Sequence, residues 1–346
     1  MALRERQADR PPGAPPPAAD GLAVVVVNYN TREHLYSCLL TVRQEAPAEV
    51  VVVDNASTDG SAEMVREVFP EVRLVRCERN LGYGPAANLG VERTQAPSVL
   101  LLNSDTRLRP GATTQLRAYL ATHPGVGIAG PRLLNADGSW QPSCFPFPGS
   151  WGWFVENDPV GLVAGRVPGL RGRLHRYAMP TRAHPVPWVL GAALALRREA
   201  FEQAGGFDEG FFMYYEEVDL CYRLHELGWE THCCPDAEVY HVGGVSTSQR
   251  RVDMLVQNFR STLRFYRKHY GGVRLHTWLA LLRTKMWFKL LRDRTRLATV
   301  SPEAAESLRE EVQAWRRSLR PEPESRAAPT RTRGSVVPSP HARRIA

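Results

Sequence analysis

The chain has 346 residues, 43% of them hydrophobic and 23% charged, which is enough apolar material for one large core or two ordinary ones. No apolar run approaches the roughly 18 residues that a membrane-spanning helix needs, and the N-terminus lacks the charged-then-apolar pattern of a secretory signal. The composition excludes a typical membrane-spanning or secreted protein, and we expect the chain to stay in the cytosol.

The net charge of +8 is unevenly distributed. Residues 250–296 contain 13 lysine or arginine residues and two aspartates, a local net charge of +11. Clustered positive charge suits nucleic acid and an anionic membrane surface equally well, because both offer dense phosphate. Charge alone does not decide between them.

The composition also predicts how the chain is divided. Residues 1–20 and 321–346 are rich in proline and poor in large apolar side chains, so we expect a disordered arm and a disordered tail. Between them we expect a folded region without an evident second domain, followed by a basic amphipathic helical extension over 271–320. The six cysteines form no C-x-x-C pair and are predicted to be reduced thiols.

Apolar runs and helix-like segments alternate from Gly21 onward. The predicted strands are "LAVVVVNYN", "VVVVDNAS", "VRLVRC" and "SVLLLNSD", separated by helical stretches at 31–46, 59–69 and 83–94. Strands separated by single helices predict βαβ crossovers, hence an α/β fold with a mainly parallel sheet flanked by helices.

Three of these strands end in polar side chains, namely Asn28 and Asn30, Asp54 and Asn55, and Asn103 and Asp105. Ligands of such sheets bind beyond the carboxyl ends of the strands. A separate Asx turn at each end is the alternative, but it does not require amide and acidic groups to collect at one edge. The pattern therefore predicts a binding site there.

The second half of the chain is more mixed. A helix is predicted over 111–122, a short strand at "VGIAG" and a tight hairpin at "RLLNADGSWQ". Residues 142–185, with Trp151 and Trp153, are rich in proline, glycine and aromatics, which favours a lid or a binding surface. Strand character returns at "VPWVLGAALALRR", and a helix is predicted to begin within "YYEEVDL".

Six segments in order carry a family resemblance: "VVVVNYN", "VVVDNASTDGS", "RNLGYGPAANLG", "LLNSD", "GGFDEGFFMYYEEVDLCYRLHELGW" and "VYHVGGVS". Together they resemble the inverting GT-A glycosyltransferases of family 2, especially the branch of bacterial rhamnosyltransferases and galactofuranosyltransferases of cell-surface polysaccharide assembly. The resemblance covers about 21–270 and implies the Rossmann-like GT-A fold, here followed by a C-terminal helical extension.

The resemblance implies a nucleotide-sugar at the strand edge. Asp54 matches the carboxylate that accepts the N3–H of uracil or thymine, although a helix-capping turn is the alternative for this residue. Other matches lie where the family packs the base or lets the backbone approach ribose and phosphate. The implied nucleotide-sugar-binding residues are Asn28, Tyr29, Asn30, Asp54, Arg79, Asn80, Gly82, Asn103 and Ser104.

The resemblance also implies a divalent cation. Asn103-Ser104-Asp105 occupies the position of the family's Asp-x-Asp, with Asp105 as the ligand of Mg²⁺ or Mn²⁺. Asn103 replaces the first aspartate and is expected to act through hydrogen bonds or water. His241 matches a histidine that completes the metal site in relatives; the alternative is an ordinary histidine at a strand end.

Glu217 matches the residue that acts as general base, which is usually an aspartate in the family. The extra methylene displaces the carboxylate by about 1 Å, so either the acceptor site compensates or Glu216 takes part. Glu217 and Asp219 fall on different helix faces, so one can face a cleft while the other anchors structure. An ordinary acidic helix start is the alternative.

Two further segments complete the predicted site. Trp188 and Gly191 match a wall that faces the donor sugar and the acceptor, with core packing as the alternative. Asp208 resembles an acidic position near the acceptor, with turn chemistry as the alternative.

The basic region contains a predicted amphipathic helix over 276–292. One stripe holds Leu279, Leu282, Met286 and Leu290, a second holds Lys285, Lys289 and Arg292, and Trp278 and Trp287 suit a lipid headgroup layer. The interpretations are a helix at an anionic membrane surface and a helix packed on protein.

The leading hypothesis is a metal-dependent inverting transferase that moves a rhamnosyl group from dTDP-rhamnose to a saccharide, possibly linked to polyprenyl diphosphate at the inner face of the cell membrane. A UDP-sugar donor, galactofuranosyl or N-acetylhexosaminyl, is the first alternative. A nucleic-acid-binding protein and an inactive scaffold are others, but no base-stacking or groove-reading motif supports the former.

Overall fold

The computed structural model describes residues 21–149, 180–249, 251–296, 309–310 and 312–313. The predicted arm and tail, and the part of the predicted lid that contains Trp151 and Trp153, lie outside the described residues. All six cysteines are free.

The N-terminal half alternates strand and helix as the sequence predicts, because each run of Val and Leu is bounded by a turn and an amphipathic segment. Its elements are β1 (Leu22–Asn28), α1 (Arg32–Gln44), β2 (Glu49–Asp54), α2 (Ser61–Val68), β3 (Arg73–Arg76), α3 (Tyr83–Glu92) and β4 (Ser98–Asn103). These four strands are parallel, in the spatial order β3-β2-β1-β4. The predicted βαβ crossovers are confirmed.

The remainder completes the sheet and adds helices. Its strands are β5 (Thr106–Leu108), β6 (Val126–Leu134), β7 (Trp140–Gln141), β8 (Cys144–Phe145), β9 (His184–Pro185), β10 (Trp188–Val189), β11 (Ala193–Arg197) and β12 (Glu230–His241). Its helices are α4 (Ala112–Thr122), α5 (Arg198–Gln203), α6 (Glu216–Glu226), α7 (Val245–Ser248), α8 (Arg251–His269) and α9 (Gly272–Arg296).

The sheet is mixed and mainly parallel, in the order β3-β2-β1-β4-β11-β6-β12-β5. β11 is antiparallel to β4 and β6, whereas β6 and β12 are parallel. β1 is buried along its whole length, with side chains alternating between two apolar clusters on the two faces of the sheet. Burial on both faces explains why its sequence is a continuous apolar run.

The register brings the polar strand ends together. Asn28 pairs with Asp54, and Val27 pairs with Asn103. The carboxyl ends of β1, β2 and β4 therefore meet at one edge, as the sequence predicts.

The C-terminal helices pack on each other through aromatic and leucine side chains. Leu279 and Leu282 contact a cluster of buried side chains that includes Phe265 and Tyr266, and Leu282 and Leu290 contact the cluster around Phe259. The three leucines of the predicted stripe thus pack on protein, while the side chains of Met286, Lys285 and Lys289 lie outside the described part of the structure. A different set on α9 is exposed, namely Val273, Trp287, Phe288 and Leu291. Within the described part of the chain, no helix is long and apolar enough to cross a membrane.

Candidate active site

A cavity of roughly 230 Å³ opens at the carboxyl edge of the sheet. Its lining includes ten of the residues predicted from the sequence, namely Tyr29, Asn80, Gly82, Asn103, Ser104, Asp105, Gly191, Glu216, Glu217 and His241. Outside the lining lie Asn28, Asn30, Asp54, Arg79, Trp188 and Asp208. One cavity therefore contains residues that were predicted to bind phosphate, to bind the divalent cation and to act as the general base.

Asp105 and His241 form one side of this cavity. Pairing of β5 with β12 aligns His241 with Thr106, and the backbone N–H of Val242 donates to the carbonyl of Asp105. The Nε2 atom of His241 lies 3.5 Å from Oδ1 of Asp105, and both side chains are about nine-tenths buried. Burial lowers the pKa of His241, against the opposing charge of Asp105.

The donor atoms of this pair suit a divalent cation that shares its coordination with phosphate. Within the described ranges, no cluster of three or more His, Cys, Asp or Glu side chains could hold a metal ion. Mg²⁺ commonly takes only one or two protein ligands and completes its shell with substrate phosphates and water. Asp105 and His241 could supply the two protein ligands of such an ion. The described residues do not supply enough ligands for a closed structural metal site.

Glu216 and Glu217 form a second side of the cavity as the first residues of α6. Tyr214 and Tyr215 precede them with φ of 65° and 69°, a left-handed conformation that turns the chain sharply into the helix. Both glutamates are buried, and Oε2 of each has no hydrogen-bond partner. An unpartnered buried carboxylate oxygen is costly unless a ligand or water completes it.

The protonation of this pair is shifted toward the neutral form. Burial raises the pKa of Glu216 well above its usual range, and the nearby charge of Glu217 raises it further. Burial also raises the pKa of Glu217, while the backbone amide of Gly191 acts in the opposite direction. A carboxylate with a raised pKa is a stronger proton acceptor, as a general base requires.

Asp219 occupies the other face of α6, as the helix periodicity predicts. Its carboxylate is fully buried and accepts hydrogen bonds from Arg223 and His269, with Lys268 2.7 Å away. Burial alone would raise the pKa of Asp219, but the hydrogen bond from His269 and the charges of Arg223 and Lys268 outweigh it and lower the pKa to about 2. Asp219 anchors the helix, and Glu217 lines the cavity.

Two residues outside the predicted set of site residues shape the cavity: Asn55, which the strand-end pattern marked without a role, and Tyr83, which it did not mark. The hydroxyl of Tyr83 donates to the carbonyl of Gly191 at 3.1 Å, which fixes the segment opposite Glu217. Asn55 accepts from the backbone N–H of Leu81 at 2.8 Å and donates to the carbonyl of Gly82 at 3.0 Å. Asn55 follows Asp54 directly at the strand end, so the strand-end pattern offered a signal for it, but Tyr83 carried none.

Asn28 and Asp54 lie beneath the cavity. Both are fully buried, and Asn28 donates from Nδ2 to Oδ1 of Asp54 at 3.2 Å and to Ser57. Thr31 donates to Oδ1 of Asn28 at 2.7 Å and lies 2.6 Å from the hydroxyl of Ser104. A buried polar chain therefore connects the predicted base-binding carboxylate to the segment that carries Asp105.

The other predicted residues outside the lining have definite partners or positions. Trp188 donates to the carbonyl of Pro146 and stacks on Phe145. Asp208 forms ion pairs with Arg264 at 3.0 Å and Lys268 at 2.6 Å.

Asn30 adopts a φ of 51° and accepts from the backbone N–H of Thr58, and Arg79 is exposed. The roles of Trp188, Asp208, Asn30 and Arg79 in substrate binding stay predictions.

Comparison with known proteins identifies the family. The model of "Glycosyl transferase family 2" matches residues 23–205, and that of "Glycosyl transferase family group 2" matches residues 172–300. An N-acetylglucosaminyl-diphospho-decaprenol L-rhamnosyltransferase of Mycobacterium tuberculosis is 34% identical over 270 residues, covering 73% of this chain and 86% of the relative.

Two further proteins are similar at greater distance. The dTDP-rhamnosyl transferase RfbF of Shigella flexneri is 25% identical over 224 residues, covering 64% of this chain and 68% of the relative. The structure of S. aureus TarS 1-349 in complex with UDP-GlcNAc superposes with a TM-score of 0.50 at 14% identity, covering 87% of this chain and 82% of that one, and shares the fold. The chain is a glycosyltransferase with a GT-A fold, and it belongs to the rhamnosyltransferase-like branch of glycosyl transferase family 2.

Proposed function

We propose that this glycosyltransferase is metal-dependent and inverting, and that it moves a rhamnosyl group from dTDP-rhamnose to a hydroxyl group of a saccharide. The observation that carries the proposal is a pair of buried glutamates, each with an unpartnered Oε2 atom, that lines the same cavity as Asp105 and His241. A cation on the leaving group and a base on the nucleophile each assist the displacement of a diphosphate by a hydroxyl.

The base in this proposal is Glu217. Its carboxylate takes the proton of the acceptor hydroxyl while that oxygen bonds to the anomeric carbon. The bond from the anomeric carbon to the diphosphate oxygen breaks on the opposite face, and the diphosphate leaves with the electron pair, so the configuration inverts. Glu216, held beside it, sets the charge of the pair, because two like charges this close resist full ionisation.

The cation in this proposal is Mg²⁺ or Mn²⁺, and Asp105 and His241 would hold it. Such an ion offsets the negative charge that develops on the departing diphosphate. Asn103 lies in the same lining and has an amide side chain that can bind phosphate or a metal-bound water.

The donor assignment depends on Asp54 and on the named relatives. Asp54 has two carboxylate oxygens with four lone-pair sites, and Asn28 and Ser57 occupy one site on each oxygen. Acceptor capacity therefore remains, but Asp54 is fully buried outside the cavity lining, so contact with the N3–H of thymine or uracil requires the residues that cover it to move. The relatives named for rhamnosyl transfer favour a dTDP donor.

The acceptor in this proposal is a saccharide carried on polyprenyl diphosphate, by analogy with the decaprenol-linked acceptor named for the Mycobacterium tuberculosis relative. Such a lipid stays in the membrane, so the enzyme has to work at a membrane surface, which in this proposal is the cytoplasmic face. The exposed Trp287, Phe288 and Leu291 on α9, beside the exposed Arg283 and Arg294, form a surface suited to anionic headgroups.

The first experiment measures thermal stabilisation of the purified protein by dTDP, UDP, GDP and ADP, each with Mn²⁺ and with chelator. Ligand that binds only the native state raises the melting temperature. The proposal predicts metal-dependent stabilisation by dTDP above UDP, followed by rhamnosyl transfer in a mass-spectrometric assay.

Two matched variants accompany this experiment. Asp105→Asn should lose the part of the thermal stabilisation that depends on Mn²⁺, and Asp236→Asn, at an exposed carboxylate, should keep it. A preference for UDP would replace the donor with a galactofuranosyl or N-acetylhexosaminyl nucleotide. No response to any nucleotide would contradict the proposal.

A further inference from the structure

We propose that Gln141 is a positioning residue that keeps Nε2 of His241 free of hydrogen and directed toward Asp105. The inference rests on the proposed function, in which Asp105 and His241 hold a divalent cation. Its basis is a chain of directional hydrogen bonds through the hairpin 135–141, whose residues the sequence marked only as a tight turn.

The contact itself is short and well placed. Oε1 of Gln141 lies 2.8 Å from Nδ1 of His241. Gln141 belongs to the two-residue strand β7, which pairs with the end of β6, and β6 pairs in turn with β12, the strand that ends at His241. Three strands of one sheet therefore fix the distance between the amide and the imidazole.

The orientation of the Gln141 amide follows from its other partners. Its Nε2 donates to Oδ1 of Asn135 at 3.1 Å and lies 3.4 Å from the carbonyl oxygen of His241. A backbone carbonyl can only accept a hydrogen bond. The amide nitrogen therefore faces these oxygens, and the amide oxygen faces the imidazole.

Asn135 is oriented in the same way, and the chain ends on a carboxylate. Nδ2 of Asn135 donates to the hydroxyl of Ser139 at 2.9 Å, and that hydroxyl donates to Oδ1 of Asp137 at 2.6 Å. An ionised carboxylate only accepts. Each donor and acceptor is thus determined, from Asp137 through Ser139 and Asn135 to Gln141.

The consequence appears at His241. Because Oε1 of Gln141 accepts, Nδ1 of His241 carries the hydrogen, and in the neutral ring Nε2 is then a lone pair. That lone pair and the Asp105 carboxylate face each other at 3.5 Å. Two ligands about 2.1 Å from one ion in octahedral geometry are separated by roughly 3 Å, so two acceptors at this distance are suited to a cation between them.

A pair of variants separates this role from a merely structural one. Gln141→Leu removes the acceptor, whereas Gln141→Glu keeps an acceptor for Nδ1–H but removes the Nε2 donor that binds Asn135. We expect Gln141→Leu to weaken Mn²⁺ binding about 10- to 100-fold, as for other partners of metal-ligating histidines, and Gln141→Glu to bind within threefold of wild type. Gln44→Leu, at an exposed site on α1, is the control and should change nothing.

The Mn²⁺ affinity is read by electron paramagnetic resonance on the full chain, with urea unfolding to verify that each variant is folded. Equal weakening in the Leu and Glu variants, or none in the Leu variant, would overturn the proposal. Nitrogen-15 spectra of the metal-free protein, assigned with His241→Asn, should place the ring hydrogen on Nδ1; a hydrogen on Nε2 would also overturn it. If wild type binds no Mn²⁺, the proposed metal dependence fails, and these spectra still decide the hydrogen's position.

Discussion

Asp219 accepts a hydrogen bond from His269 at 2.7 Å, and this contact ties the helix that begins with Glu216 and Glu217 to the basic helix α8. Lys268 bridges the same carboxylate to Asp208, with distances of 2.7 and 2.6 Å. Part of the positive charge of the C-terminal region therefore neutralises the buried Asp219 and the partly buried Asp208 of the catalytic domain. That part of the basic cluster is structural.

The first prediction concerns the stability contributed by Asp219. Asp219→Asn should lower the free energy of unfolding at pH 7 by about 2 to 4 kcal/mol. The substitution removes the negative charge that balances the positive charges of Arg223 and Lys268. Glu202→Gln, at an exposed side chain on α5, is the control and should change the unfolding free energy by less than about 0.5 kcal/mol. Urea unfolding measures both.

The pH dependence of that difference has a definite sign. The folded-state pKa of Asp219 is lowered to about 2, below the unfolded value of about 4. Its contribution is therefore fully present above pH of about 4 and is lost as the pH falls toward 2. The difference between wild type and Asp219→Asn should shrink over that range, and a difference that grows as the pH falls would contradict the assignment.

The second prediction concerns Gly82, at the rim of the cavity. Gly82 has a φ of +88°, and a Cβ placed on it would overlap the backbone carbonyl of Phe212. Gly228 has a similar φ of +86° but open space around it. Gly228→Ala should therefore cost about 1 to 2 kcal/mol from backbone strain alone, whereas Gly82→Ala should cost about 3 kcal/mol or more because of the added overlap.

The same pair also tests the shape of the site. Gly82→Ala should weaken the metal-dependent binding of the donor nucleotide, since Gly82 and Phe212 both line the cavity. Equal unfolding free energies and equal nucleotide affinities for the two alanine variants would show that the close contact between Gly82 and the backbone of Phe212 affects neither stability nor nucleotide binding.

The third prediction concerns membrane contact. Replacing Trp287 and Phe288, which are 59% and 60% exposed, with serine should weaken binding to vesicles of anionic lipid at least tenfold without changing stability. Leu227→Ser, an exposed apolar side chain at the end of α6, is the control. Binding that is unchanged in the double variant, or insensitive to anionic lipid, would reject this surface.

The fold was largely predictable from the sequence, because βαβ alternation is a local pattern. Four apolar runs, with a helical segment between each pair, predicted that β1 to β4 are parallel strands joined by helices. The common edge of Asn28, Asp54 and Asn103 followed from sheet geometry alone. Asp105, Glu217 and His241, which are distant in sequence, were brought together in the prediction only through the family resemblance.

Other features depend on tertiary contacts that no local pattern encodes. The sequence pattern of α9 contains an apolar stripe and two tryptophans, and it could not show that Leu282 packs on α8 while Trp287 is exposed. The hydrogen bond from Tyr83 to Gly191 spans 108 residues. Burial of Asn28 was likewise hidden, because the sequence does not show whether an asparagine at a strand end contacts a ligand or supports a neighbouring side chain.

The fourth prediction is the pH profile of transfer. A general base acts only when it is deprotonated, and burial raises the pKa of Glu217. The rate constant kcat/KM should therefore fall as the pH decreases through a value above about 4.3, the ordinary value for glutamate. A rate constant that stays level down to pH 4 would contradict the raised pKa or the role of Glu217.

The most direct test of the proposed mechanism compares Glu217→Gln with wild type in two measurements on the same protein, the affinity for dTDP with Mn²⁺ and the single-turnover rate of sugar transfer. Glu226→Gln, an exposed glutamate at the end of α6, is the control and should match wild type in both. The proposal predicts that Glu217→Gln keeps its nucleotide affinity within about threefold and loses transfer by about 10²- to 10⁴-fold. Full transfer activity in Glu217→Gln would contradict it.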